Sequence, residues 1–157
     1  MVDFTGALAG AASGAVPRAL IPKAYKGGAD RVLVRDRIAV AAAFAQNDRI
    51  LLATLRSDTI INPLTSFIWF DDMGTSITMD IGSTAAENAL VAAQDVATAA
   101  GSCSILKSVS IANYWKELWE LLGLSADPRI PISLFAKLEG GDPGTGNLAW
   151  QIVGQPW

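Results

Sequence analysis

Residues 48–82, DRILLATLRSDTIINPLTSFIWFDDMGTSITMDIG, decide the fold, because they read as three strands in succession punctuated by turn residues. Thr75 to Gly82 alternates, with Ile77, Met79 and Ile81 on one side and Ser76, Thr78 and Asp80 on the other. That period of two marks a half-buried strand. Ser66 to Asp71 is apolar almost throughout and reads as a strand covered on both faces. Between them Asp71-Asp72-Met73-Gly74 supplies a turn, since Gly accepts positive φ and Asp side chains bond nearby amides. The three strands predict an up-and-down sheet whose apolar face a second layer must cover.

Upstream, Arg31 to Phe44 alternates again, with Ile38, Val40 and Phe44 facing one way and Ala39, Ala41 and Ala43 the other. The β-branched Val32, Val34, Ile38 and Val40 favour a strand over an alanine-driven helix, and Gln46-Asn47-Asp48 reads as a hairpin turn into Arg49 to Leu55. Asn62-Pro63 interrupts or bends a strand at an edge, because Pro cannot donate to a ladder. Downstream of Gly82 the text becomes small and weakly periodic. Glu87 to Gln94 reads either as a helical turn or two or as part of a surface excursion with one short strand.

Tyr114 to Leu122, YWKELWELL, is the clearest helix. Asn113 is its expected N-cap, Gly123 its left-handed stop, and Ile111, Trp115, Leu118, Trp119 and Leu122 its apolar face, which predicts a plug over an open end of the sheet. Two strands follow. Ile130, Ile132, Leu134, Ala136 and Leu138 are in phase in the first, and Leu148, Trp150 and Ile152 in the second, with GGDPGTG read as the hairpin loop between them. The expected fold is an all-β sandwich of seven or eight strands with one short α-helix, residues 30–157, preceded by an extended N-terminal arm, residues 1–29.

At 157 residues, with 51% hydrophobic and only 17% charged, the chain has enough apolar content for one real core and an apolar surface besides. A net charge of −3 without a basic run excludes the electrostatic footprint of a nucleic-acid binder. Histidine is absent, which removes the commonest general base and metal ligand together. The single Cys103 forms no internal disulfide, and Ser102-Cys103-Ser104 reads as a small hydrophobe with neighbours, not a reactive thiol. No catalytic residue, cofactor or metal is expected, and the chain is read as no enzyme. No window approaches a membrane span, and MVDFTGALAGAASGAV lacks the positive start of a secretory signal. A soluble product made in the cytoplasm is the expectation.

Other chemical readings weaken on inspection. The loop Glu139 to Asn147 lacks Gly-Lys-Ser/Thr and the carboxylate spacing of an EF-hand, so it reads as a turn. Asp71, Asp72 and Asp80 suit solvated turn positions better than a glycosidase pair. Lys116, Glu117 and Glu120 read as the wet face of the helix. Five Trp raise a sugar platform, but Trp69, Trp115, Trp119 and Trp150 hold periodic apolar positions and read as core. The first 29 residues are too Gly- and Ala-rich to fold alone, and read either as a disordered tail or as an arm laid on a neighbour. For an arm, the partner contacts would be Phe4, Leu8, Leu20, Ile21 and Tyr25, with the terminal Trp157 as a further one.

The order of an Asn-Asp turn and strand (Asn47 to Leu55), a strand ending TMDIG (Thr78 to Gly82), an EN-x-L to D-V-A-T-A-A-G segment (Glu87 to Gly101) and a W-E-L-L-G-L helix (Trp119 to Leu124) resembles small structural proteins encoded beside the major capsid protein in tailed-bacteriophage head gene clusters. The resemblance runs roughly from Arg31 to Val153 and includes the D-P after the helix and the closing strand pair. It implies a β-sandwich or jelly-roll module on the capsid exterior of the virion, a decoration or cement protein that clamps major capsid protein subunits. A homo-oligomer follows as the expected form, a trimer included, with neither nucleic acid nor membrane as partner. Alternatives are a head-to-tail joining or tail component and, from other classes, a glycan-binding module or a virion-borne glycosidase.

Overall fold

The computed structural model describes residues 3–5, 31–41 and 43–156, and these form an all-β sandwich. Among them are ten strands: β1 (Asp3–Thr5), β2 (Arg31–Val40), β3 (Arg49–Leu55), β4 (Thr59–Ile61), β5 (Phe67–Phe70), β6 (Thr78–Ser83), β7 (Ala86–Asp95), β8 (Gly101–Ser104), β9 (Ile132–Glu139) and β10 (Gly146–Pro156). One sheet has the order β1-β3-β9-β6-β7 and the other β2-β10-β5-β8, with β4 also paired to β10. Apart from the short β1 and β4, every step along the chain crosses from one sheet to the other except β6 to β7. That arrangement is a jelly roll.

The strands expected from the sequence form, except that β9 begins at Ile132 and leaves Ile130 outside it and exposed, because Pro131 precedes the ladder; the expected connections do not hold. β3, β5 and β6 are not an up-and-down sheet, because β5 lies in the opposite layer from the other two. The Gln46–Asp48 turn and the GGDPGTG loop likewise join strands of different sheets and are crossovers, not hairpins. Alternation tells a strand which side to bury; both layers offer the same apolar interior, so it does not say which layer the strand joins.

The inward positions form one core. Ile77, Met79 and Ile81, then Leu134, Ala136 and Leu138, then Leu148, Trp150 and Ile152 are all buried, as is Val40 with Phe44. Trp150 also ties the layers together. Its indole N–H donates to the Leu52 carbonyl at 2.8 Å. The register of β3 on β9 slips between Leu51 and Ala53, so Leu52 is the extra residue of a bulge, and its carbonyl meets a donor from across the core.

Residues 86–95 are a ten-residue strand, neither a helical turn nor a surface excursion. The register of β7 on β6 slips twice, between Met79 and Ile81 and between Ile81 and Ser83. Each slip flips the inward side, so no period of two survives in the text. Ala93 stands at one slip with φ +47°, and its N–H donates to Asp80 Oδ1 at 2.6 Å.

The nine-residue helix contracts to one turn, α1 (Leu118–Leu121), preceded by a separate 3-10 turn at Ile111–Asn113. Its N-cap is Glu117, not Asn113, and the Glu120 carboxylate accepts the Glu117 N–H at 3.1 Å. Gly123, with φ +70°, ends it as expected; the Leu124 N–H bonds to Trp119 O and the Gly123 N–H to Glu120 O, a Schellman pair. Leu118 and Leu122 are buried and plug the core, and the Trp119 N–H bonds to Ser57 O between β3 and β4. Ile111 and Trp115 are exposed, because a 3-10 turn and a break before α1 destroy the helical phase that put them on the same face.

Candidate interaction surface

Cross-strand register sets out the two outward faces. On the β3-β9-β6 face, Arg49, Lys137 and Asp80 make one row and Leu51, Phe135 and Gly82 the next. Charge is matched there within the chain. Lys137 Nζ lies 2.7 Å from Glu87 and 2.7 Å from Glu139, and its side chain is only 14% exposed. Hydrogen bonds from Glu139 and then Glu87 hold its ammonium above the usual lysine range, against a smaller opposing effect of burial. The Arg49 guanidinium stacks 4.6 Å from the Phe135 ring centre.

The opposite face is built differently. Arg37, Ala149, Trp69 and Ser102 form one row across β2, β10, β5 and β8, and Arg35, Gln151, Phe67 and Ser104 the next. Trp69 is 45% exposed, which corrects both its reading as core and the reading of β5 as covered on two faces. Ile68 and Phe70 alone fill the inward side of that strand. A slip in the β2–β10 register beside Val153 turns Val32 outward onto the same face. Beyond its end, Leu64 stands exposed on the β4–β5 loop, which Ser104 Oγ holds through Pro63 O at 3.0 Å.

A third exposed apolar group lies on the segment between β8 and β9. Ile111 is 76% exposed and Trp115 82%, and Ile130 is exposed at its far end. Arg56, Ser57, Asp58, Asp127, Arg129 and Ile130 line a cleft of about 340 Å3 there. Its charges are largely matched: Arg56 forks onto Asp58, and the Ser57 hydroxyl, then the Arg129 N–H, hold the Asp127 carboxyl below its usual range.

The arm contacts expected from the sequence are mostly beyond reach here. Phe4 lies in β1, whose backbone pairs in parallel with β3, Phe4 opposite Ile50. Leu8, Leu20, Ile21, Tyr25 and Trp157 lie outside the described residues. The acids considered for chemistry have structural duties. Asp71 accepts from the Asn147 backbone and side chain at 2.9 and 2.8 Å, Asp72 from the Gly74 N–H at 2.9 Å, and Asp142 from the Gln46 N–H at 2.9 Å. Cys103 is buried, and burial pushes its thiol up despite Lys107. Among the described residues no three metal-ligating side chains cluster.

The outward arginines had a signal in the text. Carrying the alternation of Ile38 and Val40 back along β2 points Arg35 and Arg37 outward. Trp69 was hidden by its equally apolar neighbours, whose run conceals the period.

By fold, the chain is a jelly roll. No family model and no curated protein matches it. Among solved structures it is similar to a chain of the cyanophage Pam1 capsid asymmetric unit, at 15% sequence identity and a TM-score of 0.48, over 89% of this chain and 94% of that one.

Proposed function

We propose that this chain is a bacteriophage virion protein of the decoration or cement type, which binds the major capsid protein on the capsid exterior as a homo-oligomer and carries no catalysis. The observation that carries the reading is the exposed pair Ile111 and Trp115. Both stand on a segment anchored by the buried Leu118 and Leu122, so apolar area is held out in water on a firm support. Such area is the kind that a partner subunit covers, and Trp is favoured at the centre of such contacts. The strings that resemble phage head proteins fall on folded elements: TMDIG on β6, EN-x-L on β7 and W-E-L-L-G-L on and just after α1. Repeated copies on a symmetric lattice would add modest contacts into stable attachment. The arm would contribute through Leu8, Leu20, Ile21 and Tyr25.

The test is co-sedimentation of the purified chain with capsids that lack it, followed by cryo-electron microscopy. Regular density over capsid subunit joints, and capsids more resistant to heat, are expected. Density confined to the portal vertex or tail would replace this reading with the joining role, and an absence of binding would overturn it. Serine at Leu8, Leu20, Ile21 and Tyr25, with β1 left intact, should reduce occupancy; unchanged occupancy would remove the arm from the interface.

A further inference from the structure

We propose that the outward face of the β2-β10-β5-β8 sheet binds an acidic polysaccharide in a trough that runs along β10. The trough follows from register. Arg37 and Trp69 flank Ala149 in one row, and Arg35 and Phe67 flank Gln151 in the next. Neighbouring strands lie about 4.8 Å apart, so an arginine wall and an aromatic wall face each other across about 10 Å, with the small Ala149 as floor between them. That spacing accommodates one sugar ring, its apolar C–H face toward Trp69 and a ring carboxylate toward a guanidinium.

The walls are already arranged for such a ligand. The Phe67 and Trp69 rings are 6.1 Å apart and tilted by 32°, which makes them one continuous platform, and Trp69 is the more exposed end of it. Arg35 donates from Nε to Gln151 Oε1 at 2.9 Å, and Gln151 Nε2 donates to Thr65 O at 3.1 Å, so the floor amide and one guanidinium are held in place. Charge selects the class of sugar. Neither Arg35 nor Arg37 takes part in an ion pair among the described residues, and the two rows contain no acid, although the chain as a whole carries −3. Two guanidinium groups with no carboxylate partner among the described residues suit a polyanion, and charge-assisted bonds to carboxylate are the strong ones. An acidic peptide fits less well, because an extended peptide takes its backbone bonds from a strand edge, whereas this trough lies on the face over a strand paired on both sides.

The experiment is affinity electrophoresis of the full chain through native gels containing polygalacturonate, dextran or poly-glutamate. Retardation by polygalacturonate alone is expected, weakening as salt rises. Trp69→Ala and Arg37→Glu should each weaken it about tenfold or more, as expected for losing a bond to a charged group or its stacking partner, while Trp69→Tyr should keep most of it. Both side chains point outward, so thermal melting should show both variants folded. Should Trp69→Ala fail to fold, Arg37→Glu and Arg35→Ala read the same wall. Unchanged mobility in polygalacturonate, equal retardation by poly-glutamate, or full retardation of Trp69→Ala would each overturn the proposal. The measurement uses no capsids, so its failure leaves the decoration reading standing, and the reverse.

Discussion

The two outward faces of this sandwich share one core and the same inward-outward alternation, yet one completes itself and the other does not. On the β3-β9-β6 side Lys137 sits between Glu87 and Glu139, and Arg49 lies over Phe135. On the β2-β10-β5 side, among the described residues, Arg35 meets only the neutral Gln151 and Arg37 has no carboxylate partner, and Trp69 is 45% exposed. The first face has its strongest groups already matched, so it gains little from a partner. The second keeps charge and aromatic area available. A similar contrast divides the segment between β8 and β9, where Leu118 and Leu122 go inward and Ile111 and Trp115 go outward within a dozen residues.

Four measurements would break or sharpen that contrast. Both faces depend on one core, and Trp150→Ala should remove it for both at once. The change deletes a fully buried indole and its bond to the Leu52 carbonyl, at a cost of about 3–5 kcal/mol. If denaturant unfolding showed less than about 1 kcal/mol lost, the tie between the layers would be redundant.

Leu118→Ala should cost about 2–5 kcal/mol as a core deletion, while Trp115→Ala should move stability by no more than about 0.5 kcal/mol. The order matters more than the values. Equal losses in thermal melting would mean that Trp115 packs, and the exposed pair would cease to support an interface.

Lys137→Gln should destabilise by about 1 kcal/mol or less, since it removes a largely covered cation and leaves two carboxylates facing each other. Its pH dependence has a definite sign. The ammonium is held above its ordinary pKa of 10.5, so its contribution is fully present below that value and is lost as pH rises through the higher folded value. The difference between wild type and variant should therefore be steady from neutral pH to about pH 10 and shrink beyond it. A gap that widened in alkali would show that the carboxylates do not hold this lysine.

The smallest stability effect is expected at the open face. Arg37→Ala should leave melting within about 0.5 kcal/mol of wild type, because its guanidinium has no ion-pair partner among the described residues. A clear loss would show that this face, too, is internally matched, and the asymmetry would disappear.

The strands that alternate without interruption were legible. Ile77 just before β6 with Met79 and Ile81 in it, Leu134, Ala136 and Leu138 in β9, and Leu148, Trp150 and Ile152 in β10 are buried as their period indicates. The plug was legible in part, through Leu118, Leu122 and the Gly123 stop. β7 was not, because its two slips in register erase the period, and Trp69 was not, because a run of apolar residues has no period to erase. Of the binding surface, the outward arginines were within reach of the alternation, while the trough was not, since it needs three strands distant in sequence set side by side.

By itself, then, the sequence determined which residues turn inward along each regular strand, since the pleat forces successive side chains to opposite sides whatever the strand's neighbours are. Tertiary structure alone decided which layer each strand joined, and so brought Arg37, Ala149 and Trp69 into one row from three separate parts of the chain. The reason is that burial is satisfied equally by either layer of a sandwich. Only the crossovers and the pairing of distant backbones distinguish the two, and those are set by the whole chain at once.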